Sequence, residues 1–347
     1  MNQASENIES KSENWEFFRP LKSGSIQCTV CPRFCQLSED EVGWCGARVR
    51  KKNKVLPRTY GLISSLAVDP IEKKPLYHFY PNQGILSFGS HGCNLGCLNC
   101  QNHSISMNRD ITNLRKITPE EIVQYAQSRN LDLIASTYNE PMIAYEFIRD
   151  IAELAHNQNM KMVVVDNGYI SKELATKMST VIDAANIDIK GFSAEFYKEI
   201  CGSPSWKPIL KTCEIFRQNN VHLEITNLII PTKNDSDDMI QAMCKWIYEH
   251  LGSNTPMHFS RFHPDYKLSN IPFTPISTLE KAYKIAKKVG LSYVYLGNVR
   301  DHKKNNTYCH NCGSMILQRS GFRTVIENLK QNKCIKCGTR IPIMLKT

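Results

Sequence analysis

No stretch of this 347-residue chain approaches the roughly 20 consecutive apolar residues that a membrane-spanning helix needs. Its opening, MNQASENIESKSENWEFF, has no apolar segment of the kind a secretory signal requires, so a cytoplasmic location is expected. There is no internal repeat and no low-complexity tract, which excludes a repeat architecture. The last absence is local. Residues 87–102 read SFGSHGCNLGCLNCQN, with Cys93, Cys97 and Cys100 in a C-x3-C-x2-C spacing and no fourth cysteine. A structural zinc site takes four ligands, and so does an ordinary iron–sulfur cluster.

Hydrophobic residues make up 41% of the chain, enough for one large domain plus small appendages. The formal charge is +10 with cysteines counted as neutral. Thiolates bound to metal would bring it down to about +5, so the basic balance is weak evidence for nucleic acid and serves anionic substrates equally well. Cysteine is abundant, at 14 residues. Eleven of them fall into tight groups at 28–45, 93–100 and 309–337, which points to metal rather than disulfides in a chain read as cytoplasmic. Cys201, Cys213 and Cys244 stand alone and read as core residues.

Residues 1–27 read as a disordered leader, with a short helix from Trp15, and 28–83 as a four-cysteine metal-binding segment and connector. The Pro and Gly spacing of 51–83 favours short strands and turns over helix. From Gly84 to residue 300 apolar β-rich runs alternate with amphipathic stretches. Strands are expected at 85–90, 131–138, 161–168, 186–191, 221–230, 257–262 and 292–297. Helices are expected near 118–129, 141–158, 171–180, 206–219, 235–251 and 277–289. Thr118, Pro119 and Glu121 form a helix-start signal, and Gly290 is a stop. Such alternation implies an α/β fold with a parallel sheet and right-handed crossovers. Six or seven units fit a partial barrel. Residues 301–347 form a separate short polar module.

In parallel α/β barrels the chemistry gathers at the carboxyl ends of strands. Those ends here carry His91 and the three cysteines, then Tyr138, Asn139 and Glu140, then Asp166 and Asn167, then Asp188 and Lys190, then Thr226 and Asn227, and finally His263 and Asn298. Strands covered on both faces should be nearly all apolar, so Asp188, Lys190 and Glu224 require a polar centre to point at. The loop itself suits a cubane. Each cysteine reaches a different iron, Gly92 and Gly96 let the backbone turn closely, and one iron is left open. The competing reading is a three-cysteine zinc site completed by His91 or His103.

GCNLGCLNCQN resembles the cluster loop of the radical S-adenosylmethionine (SAM) enzymes. The resemblance implies a partial (β/α)6 barrel and a [4Fe–4S] cluster whose open iron is chelated by the amino and carboxylate groups of SAM. Reductive cleavage then gives methionine and a 5′-deoxyadenosyl radical that abstracts hydrogen from substrate. Many members carry an aromatic residue just before the third cysteine; here it is Asn99, so the adenine falls to Leu98 or Asn102. Within that group the chain is similar to glycyl-radical-enzyme activases. STYNEP (136–141) stands for their Gly-Gly-Glu-Pro turn, which implies Asn139 and Glu140 at the SAM amino group. VVDNGY (164–169) implies Asp166 as a SAM contact, IDIKG (187–191) implies Asp188 and Lys190 near its carboxylate or ribose, and RFHP (261–264) implies His263. Lys190 serving only to cap Asp188 is the plainer alternative. A broader resemblance covers residues 28–340. CTVCPRFC, GWCGAR, DPIEKKPLYHF, FHPDY, YLGN and a C-terminal CxxC pair are similar to the radical SAM enzyme of the AmmeMemoRadiSam system. It implies Memo-type and AMME-syndrome-type partner proteins and an electron donor such as flavodoxin or ferredoxin, with the substrate open.

Cys309, Cys312, Cys334 and Cys337 form two CxxCG pairs, the pattern of a zinc ribbon, with rubredoxin-like iron as the small alternative. Cys28, Cys31, Cys35 and Cys45 fit zinc or an auxiliary [4Fe–4S] cluster about equally by count. Zinc is the expectation, because no ferredoxin-type C-x2-C-x2-C-x3-C-P run is present. Three function classes follow: a radical SAM enzyme of oxidoreductase type (with glycyl-radical activation as a variant), a non-enzymatic electron carrier, and a zinc-ribbon nucleic-acid adaptor, the least favoured.

Overall fold

The structure, a computed structural model, describes residues 16–299 and 303–346. The first fifteen positions of the expected leader, Trp15 included, lie outside the described residues. The remainder is not a leader. β1 (Phe18–Pro20), β2 (Ile26–Cys28) and β3 (Gln36–Leu37) form a three-stranded antiparallel sheet that carries the first cysteines, and no helix follows Glu16. The connector is strand and turn, as its Pro and Gly content requires. β4 (Arg48–Lys51) and β5 (Lys54–Pro57) make a hairpin, followed by β6 (Leu62–Ile63) and β7 (Ser65–Pro70).

β7 runs antiparallel beside β8 (Gly84–Gly89), an edge pairing that the sequence reading did not foresee. Beyond β8 come α1 (His103–Ser106), β9 (Arg115–Lys116), α2 (Pro119–Ser128), β10 (Leu133–Ser136), α3 (Tyr145–His156), β11 (Lys161–Asp166), α4 (Lys172–Met178) and β12 (Ala184–Asp188). The series continues with α5 (Ala194–Glu199), α6 (Lys207–Gln218), β13 (His222–Ile229), α7 (Asp237–His250), β14 (Met257–Arg261), α8 (Ile276–Val289) and β15 (Val294–Gly297). The sheet order is β7, β8, β10, β11, β12, β13, β14, β15, with every pair after the first parallel. Each expected strand and helix of this region is present. Thr118 and Glu121 close a reciprocal capping box, and α8 ends at Gly290 with φ 112°.

Side chains alternate faces along a strand, and the two faces differ. On the helix-covered face Leu86, Phe88, Ile134, Val164, Ala185, Ile187, Ile225 and Phe259 are buried in the main core. On the other face Ile85, Leu133, Ala135, Val163 and Ala184 pack against Ile71, Leu76 and Phe79. The same alternation puts Thr137, Val165, Asp188, Thr226 and Leu228 on that second face, nearer the carboxyl ends, where the apolar filling stops.

Glu224 shares this face but sits two residues before Thr226, the register partner of Asp188. It does not belong to the polar centre expected for it. It is fully buried at the amino end and accepts from Tyr77 N, His78 N, His222 Nε2 and His258 Nε2 at 2.6–3.0 Å. The histidines hold its carboxyl well below the ordinary range against the opposing effect of burial.

The C-terminal module, β16 (Thr307–Tyr308), β17 (Met315–Ser320), β18 (Arg323–Ile326), β19 (Leu329–Lys330) and β20 (Lys333–Cys334), docks at that same end. Tyr77, Tyr293 and Tyr295 share a core with Ile316, Leu317 and Ile341. Arg319 donates to Tyr77 O at 2.7 Å with its guanidinium over the Tyr77 ring. Among the described residues no helix is long and apolar enough to cross a membrane.

Candidate functional site

Cys93, Cys97 and Cys100 sit on the loop between β8 and α1. Backbone bonds fix this loop on both sides. Gly92 N donates to Ile105 O, and Gly96 N and Leu98 N donate to Cys201 O and Ile200 O, all at 2.8–2.9 Å. Gly92 is required. Its φ is +87°, and a side chain there would meet Cys45 O at 2.2 Å. Asn139 clamps the same loop, accepting from Ser90 N and donating to Gly92 O, both at 2.9 Å. Asn94 Nδ2 donates to Tyr169 O at 2.7 Å, and Asn167 Nδ2 donates to Asn94 Oδ1 at 2.8 Å.

The three cysteines open into a cavity of about 520 Å3 at the carboxyl ends of the strands, within the range of small-molecule sites. Asn139, Glu140, Asp166, Asp188 and Lys190 line it too. Lys73 and Lys74 also reach it, held by Asp69 at 2.8 and 2.6 Å, with Tyr138 Oη donating to Asp69. His263 is not in the lining. It stands at the rim, 3.3 Å from Gln101, which does line the cavity. His91 is buried against a different cavity with Ser104 and Asn108, and His103 stacks on Tyr266. Neither histidine lines the cysteine cavity.

Glu140 and Asp166 are both buried. Glu140 accepts from Met142 N at 3.0 Å and Asn167 N at 3.1 Å, and Asp166 Oδ1 accepts from Gly168 N. Burial, then the neighbouring Asp166, pushes Glu140 well above the ordinary carboxylate range. Burial likewise raises Asp166 to about 6. Two adjacent buried carboxyls cannot both ionise without a cation, so they share a proton. Apart from Glu140 beside it, Asp166 Oδ2 has no hydrogen-bond partner among the described residues. Lys190 does form the ion pair its plainer reading required, 2.7 Å from Asp188. Burial works against its charge, but Asp188 and Cys97 outweigh that and hold it protonated.

Cys201, read from the sequence as a core residue, is buried beside this loop, and its thiol hydrogen-bonds Cys97, holding the Cys97 pKa below the ordinary thiol value. Its isolated position in the chain gave no signal of this.

Among the described residues a single group brings three or more ligand atoms within 4.8 Å of one another: Cys309, Cys312, Cys334 and Cys337. This four-cysteine cluster can hold a metal ion. Gly313 N and Gly338 N each donate back to the first cysteine of their pair, at 2.9 and 2.8 Å, from φ values of 72° and 74°. The loop sulfurs at 93–100 are not gathered this closely, so they do not form a ready single-ion site.

A parallel α/β sheet gathers thiols and acids at its carboxyl edge, an arrangement that could hold a metal group. Residues 88–247 match the Radical SAM superfamily, so the chain carries a domain of that superfamily, which catalyses radical reactions; it is an oxidoreductase-type enzyme. It is 44% identical over 332 residues to the uncharacterized protein MJ0808 of Methanocaldococcus jannaschii, covering 95% of this chain and 98% of that one. A putative glycyl-radical enzyme activating enzyme of the same organism, MJ1227, is 24% identical over 240 residues, 66% of this chain and 93% of that one. A radical SAM methyltransferase structure from Sphaerobacter thermophilus aligns with TM-score 0.49 and 12% identity over 91% of this chain and 86% of that one.

The superfamily uses a [4Fe–4S] cluster and SAM. The residues present fit both. Three thiols spread too widely for one ion face a common cavity, and a buried carboxylate oxygen there has no partner but a second acid.

Proposed function

We propose that this chain binds a [4Fe–4S] cluster through Cys93, Cys97 and Cys100 and cleaves SAM reductively to start hydrogen abstraction from a substrate. When bound, the reduced cluster and SAM supply a 5′-deoxyadenosyl radical and methionine. The observation that carries the reading is the shared cavity. The three thiols, the Glu140–Asp166 pair and the Asp188–Lys190 pair all line it. Glu140 and Asp166 receive the SAM ammonium, which supplies the cation their shared burial lacks. Lys190 meets the SAM carboxylate, Asp188 and Asn102, both in the cavity lining, serve the nucleoside, and His263 closes the rim. Asn139 acts mainly through the loop, since both ends of its amide are committed to backbone.

The test is anaerobic. Reconstituted, reduced protein given SAM should release 5′-deoxyadenosine, and protein that keeps its [4Fe–4S] spectrum without releasing it overturns the reading. The AmmeMemoRadiSam system, with Memo-type and AMME-syndrome-type partners, a flavodoxin- or ferredoxin-class donor and a reducing cytoplasm, is the setting we assign. Similarity to MJ1227 supports the alternative of a glycyl-radical activase. A glycyl-radical signal on a partner enzyme distinguishes the two, as does deuterium transfer into 5′-deoxyadenosine from labelled candidates. We assign zinc to the C-terminal four cysteines, as a ribbon whose metal ligation supplies folding energy.

A further inference from the structure

We infer that Cys28, Cys31, Cys35 and Cys45 hold a second, fully ligated [4Fe–4S] cluster, and not zinc. The C-terminal four cysteines supply the contrast. There Cys309 and Cys337 sulfurs lie 3.6 Å apart, and Cys312 and Cys334 sulfurs 3.7 Å apart. That is the edge of a tetrahedron with bonds of about 2.3 Å to one central ion. At the N-terminus no three sulfurs come within 4.8 Å of one another, although all four line one small cavity with Val30, Arg48 and Ile143. A single ion cannot reach four sulfurs so spread. A cubane can, because each thiolate binds a different iron.

The covalent structure explains the spread. A CxxCG knuckle closes when the N–H four residues after the first cysteine returns to that cysteine's carbonyl, as Gly313 and Gly338 do. Four residues after Cys28 stands Pro32, which has no N–H. The knuckle is chemically barred. Cys28 N instead donates to Cys35 O at 2.9 Å, which draws the third cysteine into the turn.

The surroundings suit a buried anionic cluster. Arg48 is 2% exposed and lines the cavity, and its guanidinium is held by Glu146 at 2.7 Å while its Nε has no partner among the described residues. Backbone N–H groups of Val30, Arg33 and Ala47 are directed at the sulfurs of Cys28, Cys31 and Cys45. This site also touches the loop at 93–100. Cys45 O faces Gly92, the Trp44 ring covers Gly96, and Arg33 Nε donates to Asn94 O at 2.6 Å. With four thiolates the cluster has no open iron and is closed to substrate.

The experiment counts metals. Anaerobically reconstituted protein should carry about eight iron and one zinc per chain. A Cys93→Ala/Cys97→Ala/Cys100→Ala variant should keep about four iron, with a [4Fe–4S] resonance that SAM leaves unchanged. Adding Cys28→Ser and Cys45→Ser should remove that iron and leave zinc at one. If the triple variant holds no iron and two zinc, the inference is overturned whether or not the five-fold variant folds. Eight iron without SAM cleavage would instead defeat the function proposed above and leave this inference standing.

Discussion

Both ends of the main sheet bury charge, and they treat it in opposite ways. At the amino end Glu224 is enclosed by two backbone N–H groups and two histidines, with Arg319 and three tyrosines packed around them. At the carboxyl end Asp166 has one oxygen with no partner but Glu140, a second acid rather than a cation. Buried charge with every bond made is architecture. Buried charge left short of one partner is a site waiting for that partner.

This contrast can be broken in four places. The largest effect should come from Cys93→Ala, which removes a cluster ligand. 5′-Deoxyadenosine formation should fall at least about 1,000-fold, the scale of losing a component on which the chemistry wholly depends, while thermal stability moves little. Glu224→Ala should do the reverse. It leaves the buried His258, the partly buried His222 and two backbone donors without their acceptor, at a cost of about 3–5 kcal/mol, read from denaturant unfolding. Because the native Glu224 carboxyl sits below its ordinary pKa, its contribution is complete above about pH 4.5 and is lost as pH falls. The wild-type acid limb should therefore be steeper than that of the variant.

Asp166→Asn should weaken SAM binding about 10- to 100-fold, the weight of a charge-assisted hydrogen bond. Asp166 titrates near 6 in the free site, so wild-type affinity should rise tenfold per pH unit up to about 6 and then level off. Calorimetry on cluster-loaded Asp166→Asn should show that slope removed. The smallest effect belongs to Lys190→Met. Its partner Asp188 is about a third exposed, so solvent absorbs most of the loss and SAM affinity should drop about fivefold.

Much of this was legible in the sequence because the signals were local. Strand–helix alternation located all seven parallel strands, and Thr118, Glu121 and Gly290 marked helix ends through their own backbone neighbours. The converging residues Glu140, Asp166, Asp188 and Lys190 could be read because strand-end position is set within a few residues of each. Glu224 could not. Apart from His222, two residues away, its partners are His258 and the backbone of Tyr77 and His78, 34 to 147 residues away, and one nearby histidine does not separate a closed network from an open one. The antiparallel edge strand β7 was hidden for the same reason: Ser65–Pro70 shows its pairing only once β8 is in place. The N-terminal cysteines gave a count but not a spacing in space, and the missing N–H of Pro32 acquires meaning only beside the knuckles of the C-terminal module.

The segment from Asp69 to Tyr80 spans that divide. Lys73 and Lys74 form part of the cavity wall, while three residues later Tyr77 N meets Glu224, and Tyr80 N donates to Met344 O in the module. Anchored at both ends, it is a ruler of fixed length. Inserting or deleting one residue between Lys74 and Tyr77 would put the two ends out of step, a change that surface loops elsewhere in the chain would absorb.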